Sequence, residues 1–237
     1  MAEKVQNVEL HPVLQRAQGF WATYSKPIIY ISSAIIVLIG GYLVYKYMFK
    51  LPQEQKANDA VAVVQKSFID FTNAPSDSAK TILAQNCING DGGNNPGVLK
   101  FIGKFGGTTA ANLCNYYAGA CYLALKQFDK SIKYLNDFHT SATQIQSHAY
   151  GMIGDDYSEL KKNDNALDYY KKAAGVNEKD EHTSSEFLFR AALFAESIGK
   201  TKEASELYQR IKNDYPMSEK GQTIDRYLAR VGIMEDK

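Results

Sequence analysis

A chain of 237 residues that is 45% hydrophobic and 22% charged is long enough for one sizeable domain or two small ones, and too apolar to be disordered overall. Its net charge of +1 excludes the basic field that bulk nucleic-acid binding requires, so no nucleic-acid partner is expected. Three cysteines, Cys87, Cys114 and Cys121, leave the redox compartment open.

Residues 1–27 read as an N-terminal tail. Within it Val13, Ala17, Phe20, Trp21 and Tyr24 share one helical face, as in a helix lying at a membrane surface; a plain juxtamembrane linker fits as well. Ile28 to Tyr45 is an uncharged run of eighteen residues, and Met48 and Phe49 extend it, so residues 28–49 are expected to cross a bilayer once. Trp21 and Tyr24 before the run, and Tyr42, Tyr45 and Tyr47 near its end, suit the two interfacial aromatic belts. Lys26, Lys46 and Lys50 can snorkel to headgroups. A cleaved signal peptide fits less well, because the run begins late and no small-residue cleavage site follows it. Charge does not orient the span: Lys4, Arg16 and Lys26 precede it, and Lys46, Lys50 and Lys56 follow.

A helical domain is expected over residues 54–231. Ala57, Ala60, Val61, Val64, Phe68 and Phe71 make an amphipathic helix from about Glu54 to Phe71. A second runs from near Ser76 to near Cys87, and the two together form a degenerate pair. Residues 89–97, NGDGGNNPG, read as a flexible connector. They hold one carboxylate, too little charge for tight calcium binding, and lack the ending of a phosphate loop. Thr108 or Thr109 is placed to cap the next helix. Cys87 reads as a loop residue. Cys114 and Cys121, about 10 Å apart along one helix, are too distant to bridge and read as small buried hydrophobes.

From Asn112 to Phe138 the sequence shows two helical periodicities separated by Lys126 and Gln127. Tyr116, Gly119, Tyr122 and Leu123 mark the first, and Ile132, Leu135 and Phe138 the second. A shift of 35 residues places Gly119 on Gly154, Tyr122 on Tyr157, Ser131 on Ala166 and Leu135 on Tyr170. A further shift of 38 brings up Ala192, Ala204 and Tyr208, with Pro216 closing the unit. Repeats are thus expected at about 112–146, 147–181 and 185–218, with 176–184 a loop. A last amphipathic helix opens at Ser218 and carries Ile224, Tyr227, Leu228 and Val231.

This period, with small residues at Gly119, Gly154 and Ala192 and again at Ser131, Ala166 and Ala204, resembles the tetratricopeptide repeat (TPR) family. The third copy departs at Ala195, where the family has Tyr. The resemblance implies an all-α fold: an N-terminal transmembrane helix, then a TPR-like right-handed α-solenoid with a C-terminal capping helix. It also implies a concave groove lined by the first helix of each pair. The matching positions are Leu113, Tyr116, Ala120 and Leu123; His148, Gly151, Asp155 and Glu159; and Glu186, Phe189, Leu193 and Glu196. The Lys and Asn set by which some TPR domains grip a C-terminal carboxylate is missing.

No catalytic constellation is present. His11, His139, His148 and His182 show no ligand spacing, and Asp155 and Asp156, adjacent on a helix, point apart, one to the groove and one to solvent. The chain is therefore expected to be no enzyme and to hold no metal or cofactor. An anchor followed by TPRs resembles the single-pass inner-membrane TPR proteins that accompany the Sec translocon of Gram-negative bacteria. That resemblance implies a domain in the periplasm. Its implied role is an adaptor whose partners are Sec translocon subunits, periplasmic chaperones or secreted clients. A structural scaffold for envelope assembly or division is the alternative.

Overall fold

The computed structural model describes residues 12–232. Among them every regular element is helical. The chain divides into two compact units, Met1–Gln53 and Glu54–Lys237.

The first unit contains helix α1, Pro12–Tyr45, followed by a π-helical turn, Lys46–Lys50. Residues 12–24 and the apolar run therefore belong to one helix. Pro27 lies inside it and removes one main-chain donor. This helix is long and apolar enough to cross a membrane, and none of its apolar window is buried against protein. Ile36, Val37 and Leu38 are each about 70% exposed.

The second unit begins within α2, Leu51–Thr72, which buries Ala57, Val64 and Phe71, a seven-residue stripe along one face. Helix α3, Asp77–Asn89, starts at Ser76, whose side chain accepts from the amide of Ala79. Cys87 lies in α3, not in a loop; it is buried in one core with Cys114 and Cys121, and all three are free thiols.

The glycine-rich segment after α3 is ordered, contrary to the sequence reading. Asp91 Oδ1 accepts the amides of Gly93 at 2.8 Å and Asn95 at 3.2 Å. Asn95 is buried, donates to Asn86 O at 3.1 Å and accepts from Gly97 N at 3.0 Å. These side chains replace the missing backbone ladder. They also hold the Asp91 carboxyl below its usual range, the Gly93 bond most of all. The segment delivers the chain to α4, Val98–Phe105, a helix the sequence reading missed; its Val98, Phe101 and Phe105 face the core.

Three helix pairs follow: α5 (Thr109–Ala124) with α6 (Phe128–Asp137), α7 (Thr143–Glu159) with α8 (Asn163–Ala174), and α9 (Glu181–Ser197) with α10 (Thr201–Asp214). Thr108 caps α5 by accepting from Ala111 N at 3.1 Å. Asp180 caps α9, which takes in residues 181–184 that read as loop. From α5 to α10, helices adjacent in sequence pack together, and the first helices of successive pairs, α5 with α7 and α7 with α9, also touch. Helix α2 joins this row: its Glu54 carboxylate accepts Thr109 N, and its Phe68 ring stacks on Tyr117 at 4.1 Å.

The turn inside each pair is the same structure three times. At Lys126, Lys161 and Gly199 the backbone is left-handed, with φ of 57°, 58° and 80°. The next amide bonds back across the turn: Gln127 N to Tyr122 O, Lys162 N to Tyr157 O, and Lys200 N to Ala195 O. This is the αL closure that ends helices, and glycine occupies its strained position only in the third pair. Beyond α10, Ser218 caps a 3₁₀ turn, Gly221–Thr223, that leads to the short helix α11, Asp225–Arg230. The expected last helix is thus split in two.

Inside each pair a residue with little or no side chain meets a large one. A Cβ on Gly154 would lie 2.5 Å from the Tyr170 ring, and one on Gly119 would strike Leu135. Gly154→Leu should therefore overpack the second pair and destabilise the protein by about 1–3 kcal/mol or more; an unchanged melting temperature would refute the packing. In contrast, Lys161→Gly relieves a non-glycine αL residue. It should stabilise by roughly 0.5–1 kcal/mol, read as a rise in melting temperature.

Candidate functional site

The first helices of the three pairs carry the residues expected to line a groove. Structure separates them into three groups.

In the first pair, Leu113 and Tyr116 are half-buried between two cores. The Tyr116 ring centre lies 5.3 Å from Phe138 and 6.2 Å from Phe68, and burial pushes its phenol above the usual range. Tyr116 therefore also stitches α2 to the first pair.

In the second pair, His148 is exposed with its ring edge-on to Phe187 at 5.5 Å. Gly151 is buried at the seam with α9, where a Cβ would strike Phe187. Asp155 and Glu159 join Leu123 in lining a cavity of about 310 Å³. Ala124, Phe128, Lys126, Ser158 and Tyr170 complete its wall. Glu159 is exposed; Asp155 is half-buried. Two acids, a hydroxyl and a phenol thus stand beside an apolar wall, with Lys126 at its edge.

In the third pair, the residues meet the C-terminal cap. Glu186 pairs with Lys220 at 2.9 Å, and the Lys220 ammonium also lies 5.1 Å from the Phe189 ring centre. Phe189 abuts Tyr227 edge-on at 4.7 Å. Glu196 accepts from Tyr208 Oη at 3.0 Å and from Arg230 at 2.7 Å. Glu186, Phe189 and Glu196 are therefore engaged by residues 220–230. They do not share the cavity of Leu123, Asp155 and Glu159.

Sequence reading missed the partners of the acids. The Asp155 carboxylate accepts from Tyr170 Oη at 2.7 Å and pairs with Arg190 of the next helix pair. Arg190 also sits 5.2 Å over the Tyr170 ring. Glu196, Tyr208 and Arg230 repeat this arrangement one pair later. Each is an acid from the first helix, a tyrosine from the second, and an arginine about one period further on. The signal available in the sequence was the separation of 35 residues for Asp155–Arg190 and 34 for Glu196–Arg230. Burial, the largest influence, pushes the Asp155 carboxyl above its usual range, while Arg190 and Tyr170 oppose the rise.

Among the described residues no group of acidic, histidine or cysteine side chains is placed to hold a metal ion. Residues 147–180 and 186–218 each match a family model described as tetratricopeptide repeat. The two matches support the TPR family and identify a protein-interaction fold that is generally non-catalytic; no enzyme family was found. No curated protein matches the chain.

Arg190→Ala should leave Asp155 a half-buried carboxylate with one neutral donor. The expected cost near neutral pH is about 1–2 kcal/mol, at the low end for charged hydrogen bonds because solvent screens the pair. Asp155, its pKa raised further without Arg190, would shed the penalty as it protonates, so the deficit relative to the parent should shrink as pH falls. A deficit independent of pH would show that Arg190 acts by packing alone.

Proposed function

We propose that the chain is a membrane-tethered TPR adaptor. Residues 28–49 span the inner membrane once, and residues 54–231 form a right-handed solenoid on the periplasmic side that binds extended client segments or partner proteins. The single observation that carries this reading is the cavity where the first and second helix pairs meet, in a chain whose other unit is an apolar helix with no protein cover. An unburied helix with so long an apolar run is favoured by an apolar surrounding, which removes that surface from water. An all-helical repeat domain without a catalytic set is suited to holding other chains.

The cavity's chemistry defines the kind of segment. Leu123 and Phe128 offer an apolar wall, and Glu159 and Asp155 a negative edge. An extended segment with apolar and basic side chains fits both. Its affinity is weak, around micromolar or poorer, because the segment must be ordered on binding. The resemblance to inner-membrane TPR proteins points to Sec translocon subunits, periplasmic chaperones or secreted chains as the partners.

A photo-crosslinking residue at Glu159 in native membranes, with Lys133 on α6 as the comparison position, tests this. Adducts at 159 with translocon subunits, periplasmic chaperones or secreted chains are the expected result. Adducts confined to envelope-assembly or division proteins would make the protein a scaffold. Adducts confined to cytoplasmic proteins would reverse the topology.

A further inference from the structure

Asp156 follows Asp155 in α7, yet is fully buried, where the sequence pattern predicts a solvated side chain. Neither of its carboxylate oxygens has a hydrogen-bond partner. The equivalent positions in the other two pairs are Cys121, 35 residues earlier, and Phe194, 38 later. A carboxyl thus occupies a position where the other pairs carry apolar side chains.

The groups that act on it include no cation, and of the α6 lysines Lys130 lies over the Tyr122 ring and Lys133 over the Tyr134 ring. From α6 it is faced by the Ser131 hydroxyl and by Asp129, and from its own helix by Asp155. Helix α5 contains no acidic, basic or histidine residue. On α9, Arg190 is engaged with Asp155. On α8, Asp164 and Lys171 pair with Lys200 and Glu203, Asp168 pairs with Lys171, and Lys172 lies over Tyr150.

We propose that Asp156 is a proton-operated catch between the first and second helix pairs: neutral, it lets α7 seat on α6, and ionised, it loosens that junction. A buried carboxylate without a partner is strongly disfavoured, and two acidic neighbours add to the penalty. The neutral acid has an O–H to give. Ser131 can accept it, because the Ser131 hydroxyl already donates its own hydrogen to Gly119 O at 3.0 Å. Burial is the main force on the group; with Asp155 and Asp129 adding to it and the nearby Ser131 hydroxyl opposing it, the carboxyl is pushed up to about 7.

Linkage sets the sign. The folded state holds the proton more tightly than the unfolded chain does. Stability is therefore complete at acid pH and falls as pH rises towards and through about 7. Between about pH 5.5 and 8.5 the ratio of folded to unfolded protein should drop about thirtyfold on this account, a fall of about 4–8 °C in melting temperature.

Full-length protein in detergent micelles, melted across that range, is the test. The parent should lose stability as pH rises. Asp156→Asn should flatten the loss and melt higher than the parent at the alkaline end. An equal slope in both proteins, or no slope in the parent, overturns the proposal. The parent alone provides a second reading that does not depend on the variant folding. Infrared difference spectra should show a protonated-carboxylic-acid band that is present at about pH 5.5 and gone by about pH 8.5, and its absence at the lower pH is equally fatal. Hydrogen exchange, corrected for its intrinsic pH dependence, should place the loosened amides in α6 and α7. Uniform loosening that includes α10 would show that the junction is not a catch.

Discussion

How closely two helices of a pair can pass is set by a residue almost without a side chain on one and a bulky one on the other. Gly154 admits the Tyr170 ring, and Gly119 admits Leu135. Ala192 and Tyr208 share the core of the third pair. Interiors are dense enough that a single added carbon at such a point is felt. The close approach fixes the angle and register of each pair, and so decides which residues of the first helix turn towards the next pair and which stay open. Asp155 and Asp156 show the consequence. Neighbours in sequence, one reaches a cavity and the other is sealed inside.

Tyrosine at the bulky position adds more than volume. The Tyr170 and Tyr208 hydroxyls emerge on the far side of the packed ring and donate to Asp155 and Glu196. An arginine from further along the chain then closes on each acid, Arg190 on the first and Arg230 on the second. Packing within a pair is thereby coupled to contact with the next unit of the array. Leu135 has no hydroxyl, so the first pair lacks this device. The junctions differ accordingly. Four ion pairs link the second pair and its following loop to the third: Asp155–Arg190, Asp164–Lys200, Lys171–Glu203 and Glu178–Arg210. Between the first and second, no ion pair is found among the described residues, and Tyr169 reaches Asn136 by a neutral hydrogen bond of 3.2 Å.

Whatever repeats or runs was legible in the sequence. The period of 35–38 residues, the small-against-large positions, the capping threonine and the apolar N-terminal helix come from local spacing, which composition and periodicity report directly. Helix α4 was not legible, because it is only eight residues long and lies between glycine-rich stretches that read as breaks. The order in residues 89–97 depends on Asn95 reaching back nine residues to Asn86, a contact no window of composition contains. The groove residues were legible as positions but not as an open row. Tyr116 and Phe189 are met by Phe68 and Tyr227 from the segments that flank the repeats. A repeat pattern says which face a residue occupies. It does not say what the non-repeating ends of the chain lay over that face.

That difference between ends and middle bears on how the domain works. In an array where each unit touches chiefly its neighbours, stability is a sum over units and junctions, and the weakest junction opens first. Helix α2 and its Phe68 brace the start, and Lys220, Tyr227 and Arg230 brace the finish. The charged cross-links gather between the second and third pairs. Exposed pairs of this kind are each worth little, but several acting on one junction add up. The junction left with neither bracing nor ion pairs is the one between the first and second pairs. It is also where the cavity lies and where a buried acid replaces an apolar residue. The proposed binding cavity and the junction without ion pairs coincide there, so a segment that filled the cavity would bridge α5 and α7 and hold shut the junction at which the proposed Asp156 catch acts.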